Sequence, residues 1–113
     1  MATMNTNEQV TTLATPHTRE SVLATLAAHR DKLREFGVRR LALFGSVVRN
    51  EARDDSDIDV LVDLQETTFR TFMGLKIFLE ELFGRAVDLV MFRNLKSRIR
   101  DRVLKEAVDV EGL

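Results

Sequence analysis

Two rhythms of hydrophobic and polar positions run along this chain, one near 3.6 residues and one of 2. Val22, Leu26, Leu33 and Phe36 recur at helical spacing, predicting an amphipathic helix over residues 19–35 that ends at Gly37. Thr18 is placed to cap it, and Glu20 lies in the first turn, where the helix dipole favours an acid. Residues 38–44 read as a strand, with Val38, Leu41, Leu43 and Phe44 apolar and Arg39 and Arg40 at its exposed start. Gly45 and Ser46 then open a turn and a short helical segment to about residue 50, followed by an acidic loop over 51–56. A second strand spans residues 57–64, a strongly apolar helix 69–83 is closed by Gly84, and a third strand spans 86–92. The last helix is expected over residues 95–108, capped by Asn94, with Leu95, Ile99, Val103, Leu104 and Ala107 as its apolar side. This order predicts an α/β (α+β) fold: a small mixed sheet with helices packed on one face and the other face open for substrate.

The helix over residues 69–83 is more apolar than a core-facing stripe requires. Phe69, Phe72, Met73, Leu75, Ile77, Phe78, Leu79, Leu82 and Phe83 cover more than one of its faces. The surplus either lies under another part of the same domain or forms a contact with a partner chain. His29, on the first helix, is assigned no role.

Length and composition narrow the field. At 113 residues the chain reads as one domain, able to bury roughly 65% of its unfolded surface. Residues 1–17, up to the single proline Pro16, are expected to be a mobile N-terminal segment, with the domain over 18–113. With no cysteine there is no disulfide framework, zinc-thiolate site or catalytic thiol, which fits a reducing compartment. A net charge of −1 argues against binding duplex nucleic acid through bulk charge. Residues 93–105 nevertheless hold six Arg or Lys against one Asp, read as a solvated helix face, with a surface for a triphosphate tail or acidic partner as the alternative. No apolar run is long enough to span a membrane, and the polar, Thr-rich start lacks the apolar region of a secretory signal. The simplest localisation is cytoplasmic.

The chemistry concentrates in residues 41–62, LALFGSVVRNEARDDSDIDVLV. Side chains two apart on a strand share a face, so Asp57 and Asp59 stand side by side while Ile58 and Val60 point into a core. Adjacent carboxylates repel each other and invite a divalent cation; hard oxygen ligands suit magnesium, which completes its shell with water and substrate phosphates. Gly45 permits close backbone approach, and Ser46 offers a hydroxyl at the start of a helical turn whose free N–H groups attract anions. Asp88 lies in the otherwise apolar third strand, where a carboxylate is expensive unless paired or metal-bound. A carboxylate at a strand edge facing water is the plainer alternative for it.

The spacing Gly-Ser, ten residues, Asp-x-Asp, set between two apolar strands, resembles the signature of the DNA polymerase beta-like nucleotidyltransferase superfamily. The size of the chain is similar to that of its minimal (MNT) branch, and the resemblance covers about residues 38–110. It implies a phosphate-binding turn at Gly45 and Ser46 and metal held by Asp57 and Asp59. It further implies Asp88 as the third carboxylate of the metal site, able to accept the acceptor's proton, so that two Mg²⁺ ions and ATP act together. Arg49 could reach the same phosphates, with a surface salt bridge as the alternative. Relatives commonly carry Arg-Gly where this chain has Arg49-Asn50; Asn tolerates a left-handed backbone, so the turn is expected to survive. Ser56 is expected to shape the turn into Asp57, and Asp54, Asp55 and Asp63 to be solvated.

Minimal members resemble one half of toxin–antitoxin pairs whose partner is a HEPN-domain ribonuclease toxin. The resemblance implies an antitoxin that moves AMP from ATP onto a tyrosine of that toxin; a homodimer and a hetero-oligomer with the toxin are both left open by the sequence. Other readings are nucleotidylation of a small molecule of aminoglycoside type, a non-catalytic antitoxin that acts by binding, and a generic magnesium-binding domain.

Overall fold

The computed structural model describes residues 18–53 and 55–113. The expected mobile segment and the expected solvation of Asp54 lie outside the described residues. Thr18 caps the first helix through a reciprocal box with Ser21, its hydroxyl accepting from the Ser21 N–H and the Ser21 hydroxyl accepting from the Thr18 N–H.

The expected single helix is two: α1 is Arg19–Ala28 and α2 is Arg30–Glu35. His29 stands between them with φ −113° and ψ 26°, outside helical geometry. Its Nδ1 bonds the Thr25 carbonyl at 2.8 Å and its ring meets Phe78 edge-on, so it is a satisfied residue at a bend. Val22, Leu26 and Leu33 are buried as the periodicity requires.

Strand β1 (Val38–Phe44) pairs antiparallel with β2 (Ile58–Leu64), which pairs in parallel with β3 (Val87–Met91). Among the described residues the sheet order is β3-β2-β1-β4, where β4 is the short strand Val108–Asp109, making a mixed four-stranded sheet. Helix α3 (Phe69–Phe83) supplies the long crossover a parallel pair needs. Thr68 caps α3 with Thr71, and Gly84 ends it in the left-handed conformation at φ 66°. Lys76 and Glu80 pair at 2.7 Å and tie α3 to the start of β3, Lys76 donating to the Val87 carbonyl and Glu80 accepting the Val87 N–H.

Leu41 and Leu43, Ile58, Val60 and Val62, and Val87, Leu89 and Met91 face α1–α3 and form the main core with Leu75, Leu79 and Phe83. Most of the surplus apolar surface of α3 is therefore used at home, with Phe72, Phe78 and Leu82 packed against this core. Phe69 and Ile77 stay 82% and 51% exposed.

The end of the chain departs from expectation. The last helix, α4, spans Ser97–Glu106, shorter than residues 95–108, and a two-residue strand β4 (Val108–Asp109) follows it and pairs with β1. Asn94 does not cap α4; it closes a 3₁₀ turn over Phe92–Asn94, and the residue before α4 is Lys96. Nor do the helices share one face. The other face of the sheet carries Ala42, Leu61 and Val90, an apolar patch too large to leave in water, and α4 covers it with Ile99, Val103 and Leu104. Only part of the second face remains open, at the ends of the strands.

Candidate active site

Strand parity decides which side chains meet. Asp59 and Asp88 share the α4 face with Leu61 and Val90, each two residues upstream of its apolar neighbour. In the parallel register of β2 and β3 they are direct partners, and on its other side Asp59 faces Phe44 of β1. Asp57 immediately precedes β2 and falls on the same face by the same alternation. Three acids separated by as many as 31 positions thus lie on one face of the sheet, Asp59 and Asp88 as direct neighbours.

Their environments differ. Asp59 is half-buried, whereas Asp57 and Asp88 are exposed. Asp88 lies on β3, the edge strand, so it stands in water and not within a buried strand as its apolar neighbours suggested. Burial, reinforced by repulsion from Asp88 and Asp57 and opposed by Arg49, pushes the Asp59 carboxyl up to about 6.

Gly45 sits hard against this carboxylate. At φ +77° it occupies a conformation that disfavours a side chain, and a Cβ there would fall 2.1 Å from Asp59 Oδ2. The backbone at Gly45, which opens the Gly45–Val47 turn, therefore comes closer to the Asp59 carboxylate than a residue with a Cβ would allow. Ser46 follows, partly exposed, and its carbonyl accepts from the Glu51 N–H at 2.8 Å. Asn50 takes φ 57°, as the substitution of Asn for the usual Gly requires, and its Oδ1 accepts the Arg19 N–H at 3.1 Å.

Arg49 projects toward the same turn. It donates to Glu51 at 2.9 Å and to both oxygens of Glu106 at 2.9 Å. The salt bridge expected as an alternative for Arg49 is present, and its second partner is at the far end of α4. Glu106 also accepts the Gly45 N–H at 2.6 Å. Nothing in sequence spacing marked Glu106, which lies 61 positions from Gly45.

A cleft of about 440 Å³ is lined by Phe44, Gly45, Arg49, Arg102 and Glu106, with Ile99 and Val103 as its apolar wall. A second, of about 380 Å³, includes Asp88, Asn94, Lys96 and Arg98. The basic run over residues 93–105 is thus mostly solvated, as expected, while Arg102, Lys96 and Arg98 border the clefts. Ser56 behaves as a turn former, its hydroxyl accepting the Arg53 N–H at 2.8 Å. Arg85 holds that loop by donating to the carbonyls of Arg53 and Ser56, a clamp that sequence reading missed.

Among the described residues no three His, Cys, Asp or Glu side chains stand close enough together to form a ready metal cage. Magnesium does not need one, since it usually takes one or two carboxylates and fills its shell with water and phosphate. Neighbouring acids of hard oxygen, one of them half-buried and reluctant to ionise alone, fit such a cation.

Residues 26–110 match the family described as nucleotidyltransferase domain. The chain belongs to that family, and it is an enzyme of the nucleotidyltransferase class. It is 50% identical over 95 residues to the protein adenylyltransferase MntA of Thermococcus cleftensis, spanning 82% of this chain and 96% of that one. A solved structure described as a minimal nucleotidyltransferase is 41% identical, with a TM-score of 0.70 over 80% of this chain and 94% of its own. The fold also matches a chain in the structure of tri-AMPylated Shewanella oneidensis HEPN toxin in complex with MNT antitoxin. That match has 19% identity and a TM-score of 0.59, over 85% of this chain and 74% of that one.

Proposed function

We propose that this chain transfers AMP from ATP, with magnesium, to a hydroxyl of a HEPN-domain ribonuclease toxin, and so acts as its antitoxin. The observation that carries the reading is the direct pairing of Asp59 with Asp88 in the β2–β3 register, beside the Gly45 turn. Half identity to a protein adenylyltransferase supports AMP as the group moved and a protein as its acceptor.

Asp57, Asp59 and Asp88 would hold the metal, which when bound supplies positive charge to the α-phosphate and to the attacking and leaving oxygens. The Gly45 N–H and the Ser46 hydroxyl bind the β- and γ-phosphates, and Arg49 adds a cation on the same side. Asp88, exposed on the edge strand, faces the side from which an acceptor approaches and takes the proton of the acceptor hydroxyl. That oxygen attacks the α-phosphorus, the bond to the bridging oxygen breaks, and pyrophosphate leaves past the Gly45 turn. In-line displacement of this kind depends on positioning and charge neutralisation more than on a covalent intermediate. A tyrosine is the proposed acceptor.

The test is to incubate the protein with α-labelled ATP, magnesium and a HEPN-domain toxin, sought first in the neighbouring reading frame. Label on a toxin tyrosine, lost when magnesium is chelated, is the expected result. Neutralisation of the toxin without ATP, undiminished in Asp57→Asn and Asp59→Asn, would replace this reading with antitoxin action by binding alone.

A further inference from the structure

Glu106 has a carboxylate where none is favoured by its own helix. It is the last residue of α4, at the negative end of the helix dipole, and its charge also repels Asp59. Two groups hold it there: the Gly45 N–H at 2.6 Å and the Arg49 guanidinium, which reaches both oxygens at 2.9 Å. The side chain is only 23% exposed, so the contact is partly withdrawn from solvent. A backbone N–H and one guanidinium nitrogen, Arg49 Nη1, shared between the two carboxylate oxygens converge on a single anion, and together they make a receptor for oxyanions. These are the same two groups assigned above to the phosphates of the nucleotide.

We propose that Glu106 occupies the phosphate site of the nucleotide-free protein as an internal anion, and that an incoming phosphate must displace it. The inference rests on the phosphate role given to Gly45 and Arg49 in the proposed function. Displacement has a destination. Arg102 lies one helical turn earlier on α4, at i−4 from Glu106, and lines the same cleft. A carboxylate released from Arg49 can pair with Arg102 while phosphate oxygens take its place. Glu106 therefore sets how tightly the enzyme holds its nucleotide: it competes with the substrate, and it keeps the Gly45 turn and Arg49 ordered between turnovers.

The experiment is calorimetric titration of the full chain with inorganic pyrophosphate and magnesium. Glu106→Gln keeps the size and one acceptor for the Gly45 N–H while removing the charge, and Glu106→Ala removes the group. Both are expected to bind pyrophosphate about fivefold more tightly than the unaltered protein, the worth of a partly exposed ion pair no longer competed against. In an Arg49→Ala background the Glu106→Gln gain should disappear, because the shared receptor is gone. Equal or weaker binding by Glu106→Gln would overturn the proposal, as would a gain that persists without Arg49 or undetectable binding by every variant. A failure to transfer AMP to any protein, with the pyrophosphate results intact, would remove the proposed function and leave this role of Glu106 standing.

Discussion

Gly45 and Asp59 constrain each other. Any side chain at Gly45 would need both a left-handed backbone and the space that Asp59 Oδ2 fills. Gly45→Ala is therefore expected to cost at least about 1 kcal/mol of stability and to remove most transfer activity, read by urea unfolding and by labelled-ATP assay. Asp59 carries the opposite tension, between stability and function. Burial first, and repulsion from Asp88 and Asp57 second, push its carboxyl from the ordinary 3.8 up to about 6 in the fold. Between those values the folded chain holds the extra proton, so in metal-free buffer its contribution to stability falls as pH rises through that window and stays low above it. Asp59→Asn should thus be inactive yet more stable than the parent by about 1 kcal/mol at pH 7–8, after allowing for partial exposure. The gain should vanish below pH 4 and shrink when magnesium is added. Thermal melts of both proteins across pH, with and without magnesium, check this; a variant less stable at pH 8 would contradict it.

Among the elements, α3 divides most clearly into core and surplus. Leu79 is fully buried and Phe69 almost fully exposed, although both belong to the same apolar run. Leu79→Ala should cost about 2–5 kcal/mol and Phe69→Ser less than about 0.5 kcal/mol in the isolated chain, measured by urea unfolding. The run alone could not separate them, because hydrophobicity records the residue and not the neighbour that arrives from elsewhere. Local signals were more informative. Thr18 and Thr68 cap helices, Gly84 ends one in the left-handed conformation, and Asn50 adopts the positive φ that its place in the turn requires. The break at His29 was hidden, since Val22, Leu26 and Leu33 keep one helical phase across it. β4 was hidden for another reason: a two-residue strand has no period to read, and its pairing with Ala42 and Leu43 is wholly long-range.

In the molecule as a whole, the mixed sheet is the device that gathers the site. A period of two along β2 and β3, joined by parallel pairing, places Asp59 beside Asp88 without any contact local in sequence. The Gly-Ser and Asp-x-Asp part was legible, because both lie within one strand–turn–strand unit; Asp88 came in through the family resemblance, since neither strand by itself states the β2–β3 register. Glu106 and Arg85 were not, since each acts through partners that only the folded chain brings near. The position of α4 on the second face is also a property of the assembled sheet, set by the patch of Ala42, Leu61 and Val90 that something had to cover. Loosening the loop clamp tests that long-range organisation. Arg85→Ala should lower transfer several-fold while changing stability by less than about 1 kcal/mol, because the hydrogen bonds it removes serve an exposed loop that leads into Asp57.

The most direct measurement is the rate of AMP transfer from α-labelled ATP by Asp88→Asn beside the parent chain, at saturating magnesium and with the fold verified by circular dichroism. If Asp88 works with Asp59 across the β2–β3 register, transfer falls at least about a hundredfold in Asp88→Asn, as it does in Asp59→Asn. Transfer by Asp88→Asn at the parent rate would contradict the account.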